Sequence, residues 1–551
     1  MSSTSQQRRP RWPLVADTVR AHRWGVPAWI AGSAIAMVAI AAGFAVEVAR
    51  FAGGAQGMAD SMRPGVEAMR LLRWPADRLD TLGGYLAYHN VTLFTLALTL
   101  YAAVQGAHAV RGAEARGVPA EILATGRSRA GVLLDRAAGF AVTLTLIGLG
   151  LGAGLAVAMA VGGEPDFGGS LVTGFVVALC AFTGYALGVL VSQLTPSTRT
   201  GAGLAALLLA GLYLLTNVSD QVGPLAVLRF ASPFHYANAS RALVPGQGFD
   251  VASSLGLAAA AVAMLGAAAW AYEYRDYGAG LWRRRPRPTR HRPRVQRPAL
   301  HALWSATLLR QRLGLLTWSV SAALALALMG WLEPAVEDMW NEFQYTKQLF
   351  GAEPGRSVAD QYLGYTGQLV VPIVAAYVIA QATGWVNDLR QGRAELLLAA
   401  PVSWPRLVWQ RLLATIAGTT VITAAAVAGL TGTALAAGIG VDPAGLTRSV
   451  AVTVLFAAAL AGVAAVAVAW LRSTAAVAVL AAFLAASYLL VYLVPLLDWP
   501  QWVLRASVFG AYGYPYLEVP AWTGLAALTV LAVSGGLAAA AIAQRSPKVA
   551  T

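Results

Sequence analysis

Charged residues are scarce in this chain. Asp, Glu, Lys and Arg make up 12% of its 551 residues, about half the share of a soluble globular protein. Lysine is nearly missing, with only Lys347 and Lys548. A phosphate-binding loop of the Gly-x4-Gly-Lys-Ser/Thr kind needs a lysine that reaches the phosphates, and neither lysine stands in that pattern. No segment has the length, or the alternation of strands and helices, of a nucleotide-binding domain. If ATP is used, another polypeptide hydrolyses it. The lone Cys180 excludes an intramolecular disulfide and, set inside an apolar run, reads as a small packing residue. The six histidines are scattered without metal-ligand spacing, so no metal is expected. Neither a nucleophile–base pair nor paired carboxylates suited to catalysis are found.

What is abundant is apolar: 57% of the residues. Crossing roughly 30 Å of hydrocarbon takes about 20 such residues. Runs of that length lie near 26–48, 90–110, 137–162, 169–193, 200–218 and 252–273. A second set lies near 314–334, 366–387, 412–436, 449–471, 474–496 and 520–543. The expected fold is therefore an all-α polytopic membrane protein with twelve spans as six plus six. Unbroken apolar runs exclude a barrel, whose strands would alternate. With the N-terminus inside, twenty-nine of the forty Lys and Arg fall on cytoplasmic segments, so both termini are expected in the cytoplasm. The net charge of +14 is then largely a topology signal, with attraction to anionic membrane lipids. No basic surface is large enough for nucleic acid. Arg8, Arg9 and Arg11 precede no signal-peptide core, so the opening segment is expected to be mature.

The chain also repeats itself. Thr18-x4-Arg23-x-Gly25-x3-Trp29 returns as Thr307-x4-Arg312-x-Gly314-x3-Trp318. Tyr85-Leu86-x-Tyr88 returns as Tyr362-Leu363-x-Tyr365, and Arg116-x3-Ala120-Glu121-x-Leu123 as Arg390-x3-Ala394-Glu395-x-Leu397. Tyr213-Leu214-Leu215 matches Tyr488-Leu489-Leu490, and Ser232-x-Phe234 matches Ser507-x-Phe509. Collinear matches built on Trp and Tyr mark two tandem copies of one module. The expected divisions are 1–274, a basic Pro/Arg-rich cytoplasmic linker at 275–298, and 299–551. Each half is expected to open with a short amphipathic helix on the inner membrane surface. In the second copy Leu300, Leu303, Trp304, Thr307 and Leu308 form the apolar stripe. The outer segments 49–89 and 335–365 are long enough for short surface helices. Leu228–Tyr236 and Leu504–Tyr512 look like re-entrant or rim elements.

An ion-driven carrier binds its coupling ion through ionisable groups at membrane depth. The middles of the twelve expected spans carry no Asp, Glu, Lys or Arg, which disfavours that class without removing it, since backbone carbonyls also bind sodium. A non-transporting membrane scaffold is the remaining alternative. The most distinctive repeated polar block joins the second and third spans of each half. One copy runs from Glu114 to Arg129, the other from Asp388 to Arg406. Each combines charges with an apolar patch, Ile122 and Leu123 or Leu396 to Leu398. Charges position a docking helix and the apolar patch supplies a buried contact able to bear force. An ordinary positive-inside loop would look similar apart from the recurrence.

At these residues the chain resembles the ABC type-2 exporter permeases, and within them a double-length actinobacterial branch of polyketide-antibiotic exporters of the tetronasin type. Glu395-Leu-Leu-Leu-Ala-Ala-Pro401-Val-Ser carries the resemblance best. The first copy departs from it, with Gly126-Arg127 where the proline would stand. The resemblance implies an elbow helix before each half and a coupling helix in each second-to-third-span loop. It implies two ABC ATPase subunits, forming a homodimer that binds ATP and Mg, beneath one permease chain in the bacterial plasma membrane. Candidate coupling residues are Glu114, Arg116, Glu121, Arg127 and Arg129 in the first loop. In the second they are Asp388, Arg390, Glu395, Pro401 and Arg406. The hydrophobic or amphiphilic substrate is expected to pass between the halves, along Gln105 and Gln381, Tyr213 and Tyr488, with Tyr377, Trp385 and Tyr492. The same side chains are equally suited to sealing helix contacts.

Overall fold

A computed structural model describes residues 13–49, 51, 53–71, 73–115, 127–195, 197–219, 223–276, 281, 303–342, 357–399, 402–496, 500–505 and 507–545. The described residues contain helices and no strands. The chain divides into two compact units, Met1–Thr289 and Arg290–Thr551.

In the first unit, α1 (Pro13–Ala21) is followed by α2 (Gly25–Val48) and α3 (Gly54–Ala68). The second apolar run becomes α4 (Leu82–Gly112), with π-helical turns at Ala87–Val91 and His108–Gly112. Then come α5 (Arg129–Val161), α6 (Phe167–Leu194), α7 (Thr198–Ser219), the short α8 (Pro233–Ala239) and α9 (Val251–Tyr274). The second unit repeats the order. It begins with α10 (Leu303–Arg310), α11 (Arg312–Glu342), α12 (Val358–Gly367) and α13 (Val370–Arg390). A short α14 (Arg393–Leu398) precedes α15 (Trp404–Ala436), α16 (Pro443–Leu471) and α17 (Ala475–Leu496). Last are α18 (Gln501–Arg505), α19 (Val508–Tyr512) and α20 (Trp522–Arg545).

Among the described residues, eleven helices are long and apolar enough to cross a membrane, six in the first unit and five in the second. The expected twelfth run forms α17, 22 residues long, which is not among those eleven. The chain is thus an all-α polytopic membrane protein. Asp, Glu, Lys and Arg lie within eight residues of an end of these spans, the one in α11 being Arg312–Trp331.

Several helices start before the apolar run does. Ser128 Oγ accepts from Gly131 N at 3.0 Å and opens α5 eight residues upstream of the expected start, and Ser403 does the same for α15. Asp166, Asp250 and Asp442 cap α6, α9 and α16 in the same way. A capping oxygen satisfies N–H groups that have no intrahelical partner, so the helix reaches into polar sequence.

The repeated motifs have packing roles. Thr18 Oγ1 donates to Leu14 O at 2.8 Å, and Thr307 Oγ1 to Leu303 O at 2.7 Å. In the first unit α1 rests on α5, where Gly139 leaves room for Thr18; in the second α10 rests on α15. Leu300 and His301 fall outside the described residues. Trp29 lies 5.6 Å from Tyr101, ring to ring, and Trp318 lies 5.9 Å from Tyr377. The Ser-x-Phe motif is a helix cap: Ser232 Oγ accepts from Phe234 N at 3.3 Å, and Ser507 Oγ from Phe509 N at 3.2 Å. Each rim segment thereby folds as two short helical pieces, and the serine starts the second.

Candidate functional site

The duplicated loop grows out of the last turn of the second span in each unit. In the first unit α4 continues through Ala113–Ala115, and residues 116–126, including Arg116 and Glu121, lie outside the described residues. Glu114 had been expected on a docking face. It is instead buried, 8% exposed, because two arginines enclose it. Arg111 Nη1 donates to Glu114 Oε2 at 3.1 Å, and Arg275 Nη2 donates to Oε1. Arg111 Nε donates to Ser192 O at 2.8 Å, and Arg275 Nε to Gln193 Oε1 at 2.8 Å. Two buried cations face one carboxylate, and carbonyls at the C-terminal end of α6 offset the excess, since a helix carries partial negative charge there. The clamp joins the ends of α4, α6 and α9. It also corrects the expected linker start: Arg275 is 4% exposed and belongs to the bundle.

Beyond the loop, Arg127 pairs with Asp135, the seventh residue of α5. Arg129 Nη1 donates to Arg275 O at 2.8 Å, and Ala130 N donates to Glu273 Oε2 at 3.0 Å. Arg136 donates to Ala109 O. The far side of the loop is therefore tied to the same clamp.

The second unit uses the same chemistry with different donors. Asp388, the repeat counterpart of Glu114, pairs with Arg411 and accepts from Arg393 Nη1 at 3.3 Å. Arg411 in turn is the counterpart of Arg136. Gly392 follows with φ +67, a left-handed turn that glycine adopts without strain, and α14 starts there. Ala394 is buried, while Glu395 is exposed and Leu396 is 74% exposed. Arg390 and Arg406 flank the helix and are exposed too. Pro401 lies outside the described residues.

Behind α14 lies an open cleft lined by Trp385, Asp388, Trp404, Arg411 and Arg472 among others. Arg472 sits over the Trp404 ring at 5.5 Å. A small neighbouring space shares Trp385 and Arg411 and adds Thr307, Gln381 and Thr415. Gln381 Nε2 donates to Gln311 Oε1 at 2.9 Å. Two of the candidate path residues, Gln381 and Trp385, therefore line space within the second unit. Gln105 is half-buried in α4.

The tyrosine candidates divide differently. Tyr213 is buried, 4% exposed, and meets Phe234 edge to face at 5.2 Å. Tyr488 is 46% exposed and meets Phe509 edge to face at 5.4 Å. The recurrence of this pair is accounted for by packing on the phenylalanine of Ser-x-Phe. Tyr377 is buried against Trp318, with its hydroxyl over Gly418. Tyr492 lies in α17. Sequence reasoning missed Tyr101, Arg136, Arg275 and Arg411; the repeat spacing could have found Tyr101 from Tyr377.

Among the described residues, no three His, Cys, Asp or Glu side chains gather as a metal site. Residues 304–544 match the family model of the multidrug efflux system permease Rv1217c, C-terminal domain. No curated protein matches the chain. The second unit is thus similar to a multidrug efflux permease domain, which supports a membrane transporter permease, and the matched stretch contains α14 and both cavities.

Proposed function

We propose that this chain is the permease subunit of an ATP-powered ABC exporter that moves hydrophobic or amphiphilic, antibiotic-like small molecules out of the cell. Separate ATPase subunits, an identical pair binding ATP and Mg, dock on the two loops that follow α4 and α13. Both termini lie in the cytoplasm of a bacterial cell. The ABC type-2, tetronasin-type assignment belongs to this reading.

The observation that carries it is the footing of the duplicated loop. In both units an acidic residue at the end of the second span, Glu114 or Asp388, is held by two arginines. A loop that transmits force needs a base that does not yield. In the second unit the loop also presents Glu395 and Leu396 outward on a helix. Closure of the ATPase pair would push both loops, and the clamps would pass the displacement to α5 and α15. Moving a two-state equilibrium from 1:99 to 99:1 takes about 5.5 kcal/mol of differential contact. Charged and apolar docking contacts together can supply that.

An ion-coupled carrier is disfavoured because ionisable groups in the described spans stay near helix ends. The test is co-expression with the cognate ATPase. A stable complex should form, and its ATP hydrolysis should fall at least tenfold in the Glu121→Gln/Glu395→Gln variant. Normal hydrolysis in that variant, with the complex intact, would remove the docking assignment.

A further inference from the structure

Behind α14 the second unit contains a further tie, made by Arg472. This residue follows the end of α16 with φ +46, and it is one of two residues other than glycine, among those described, with a positive φ. Glycine or asparagine is the usual occupant of such a position at a helix end, and an arginine there is strained. Its backbone is fixed by Arg472 N, which donates to Val468 O at 3.0 Å. The side chain does not join the Asp388 group, which Arg393 and Arg411 already occupy. It lies over the Trp404 ring instead, 5.5 Å from the centroid. A guanidinium over an aromatic ring is attracted electrostatically, most strongly by tryptophan.

Trp404 is the first residue of α15, and α14 ends at Leu398, so a short link joins the two. Ala394 of α14, Trp404 and Arg472 line one cleft. The entry to α14 has its own restraint, the Gly392 turn and Arg393 Nη1 donating to Asp388 Oδ1 at 3.3 Å. At the exit, the Ser403 cap orders the start of α15, while the Trp404–Arg472 contact joins that start to the end of α16. The first unit makes a similar tie with other residues. There Arg111 Nε donates to Ser192 O and Arg275 Nε to Gln193 Oε1, at the end of α6. The helices α6 and α16 are each the fourth span of their unit. Two unlike sets of side chains thus join the foot of the duplicated loop to the same place, which argues for the tie itself.

We infer that Arg472 is a positioning residue: stacked on Trp404, it holds the exit of α14 and keeps Glu395 and Leu396 presented outward. Its purpose rests on the docking reading of α14; the positioning is measurable on the chain alone.

The test uses the full chain in lipid nanodiscs with a nitroxide on Leu396→Cys; Cys180 is buried and does not compete for the label. Arg472→Gly should raise the ratio of mobile to immobile spectrum about fivefold. It should leave the unfolding temperature close to wild type, because glycine takes the left-handed turn without strain. Arg472→Lys keeps a cation over the ring and should restore most of the difference. Trp404→Leu should match Arg472→Gly, and the two together should do no more. Gly418→Ala, a change elsewhere in α15, is the control and should leave the spectrum as it is. Arg472→Gln carries the test if the glycine variant does not fold. An unchanged spectrum in the folded variant overturns the inference, and so does an equal rise in Gly418→Ala. Binding of the cognate ATPase to unlabelled Arg472→Gly is read separately. Weaker binding joins the positioning to docking. A mobile α14 with unchanged binding keeps Arg472 as a positioning residue and removes α14 as the docking element.

Discussion

Glu114 and Arg275 stand 161 positions apart in the sequence and form an ion pair buried inside the first unit. Their side chains are 4% and 2% exposed, against 21% and 16% for Asp388 and Arg411 in the second. Removing one member of a buried pair leaves an uncompensated charge, at about 3–5 kcal/mol. Glu114→Gln leaves two arginines in that position. A hydrogen-bonded charge nearer the surface costs ~1.5–3 kcal/mol. Thermal unfolding followed by tryptophan fluorescence should therefore show a larger loss for Glu114→Gln than for Asp388→Asn. Equal losses would mean that the first clamp is not the tighter one.

Gly418 lies under the Tyr377 hydroxyl, and a Cβ there would collide with it. Overpacking of this kind costs about 1–3 kcal/mol. Gly418→Ala should lower stability by that amount, and adding Tyr377→Phe should restore only part of it, because the oxygen goes but ring carbon Cζ would still lie 2.8 Å from the new Cβ. Additive behaviour of the two changes in a double-mutant cycle would contradict the contact.

The spans were legible because apolar runs long enough for a bilayer admit few other structures. Their starts were less so. Hydropathy ends at the first charge, while Ser128, Ser403 and Asp442 let the helix continue into polar sequence. The duplicated block is marked by its recurrence in the sequence, and in the second unit Glu395 and Arg406 are exposed. The burial of Glu114 was not visible. Its partner Arg275 stands in a basic stretch that reads as linker, and only the folded bundle brings α9 beside α4. Tyr213 and Tyr488 repeat for packing reasons that a sequence comparison does not separate from a path role.

The two Ser-x-Phe caps should differ in weight. Ser507 Oγ accepts from Phe509 N and Gly510 N and also donates to Ser487 O at 2.6 Å, tying α19 to α17. Ser232 Oγ accepts only from Phe234 N among the bonds described. Loss of an N-cap costs about 1 kcal/mol. Ser232→Ala should lose that much in thermal unfolding and Ser507→Ala visibly more. The reverse order would contradict the cap assignment.

Tyr516 joins the first turn of α12 to the residue that caps α16, at the other end of the second unit. Its Oη accepts from Asp442 N at 3.2 Å and donates to Asp360 Oδ1 at 3.4 Å. Burial, with Asp360 and Asp442 nearby, pushes its pKa up to about 12. The native state therefore holds this proton more tightly than the unfolded chain. The contribution is fully present below pH 10 and is lost as pH rises from about 10 to 12. The stability difference between wild type and Tyr516→Phe should be constant up to pH 10 and should shift against wild type above it. A difference that changes between pH 6 and 9 instead would exclude this origin.

The central claim is that work reaches this chain from a separate ATPase through the two duplicated loops. Proteoliposomes that contain the chain, its ATPase and an amphiphilic fluorescent substrate test it most directly. The account expects uphill transport that requires ATP and the ATPase together and that drops at least tenfold in Glu121→Gln/Glu395→Gln, with the complex still assembled. Sustained uphill transport by the chain alone, driven by an ion gradient, would contradict it.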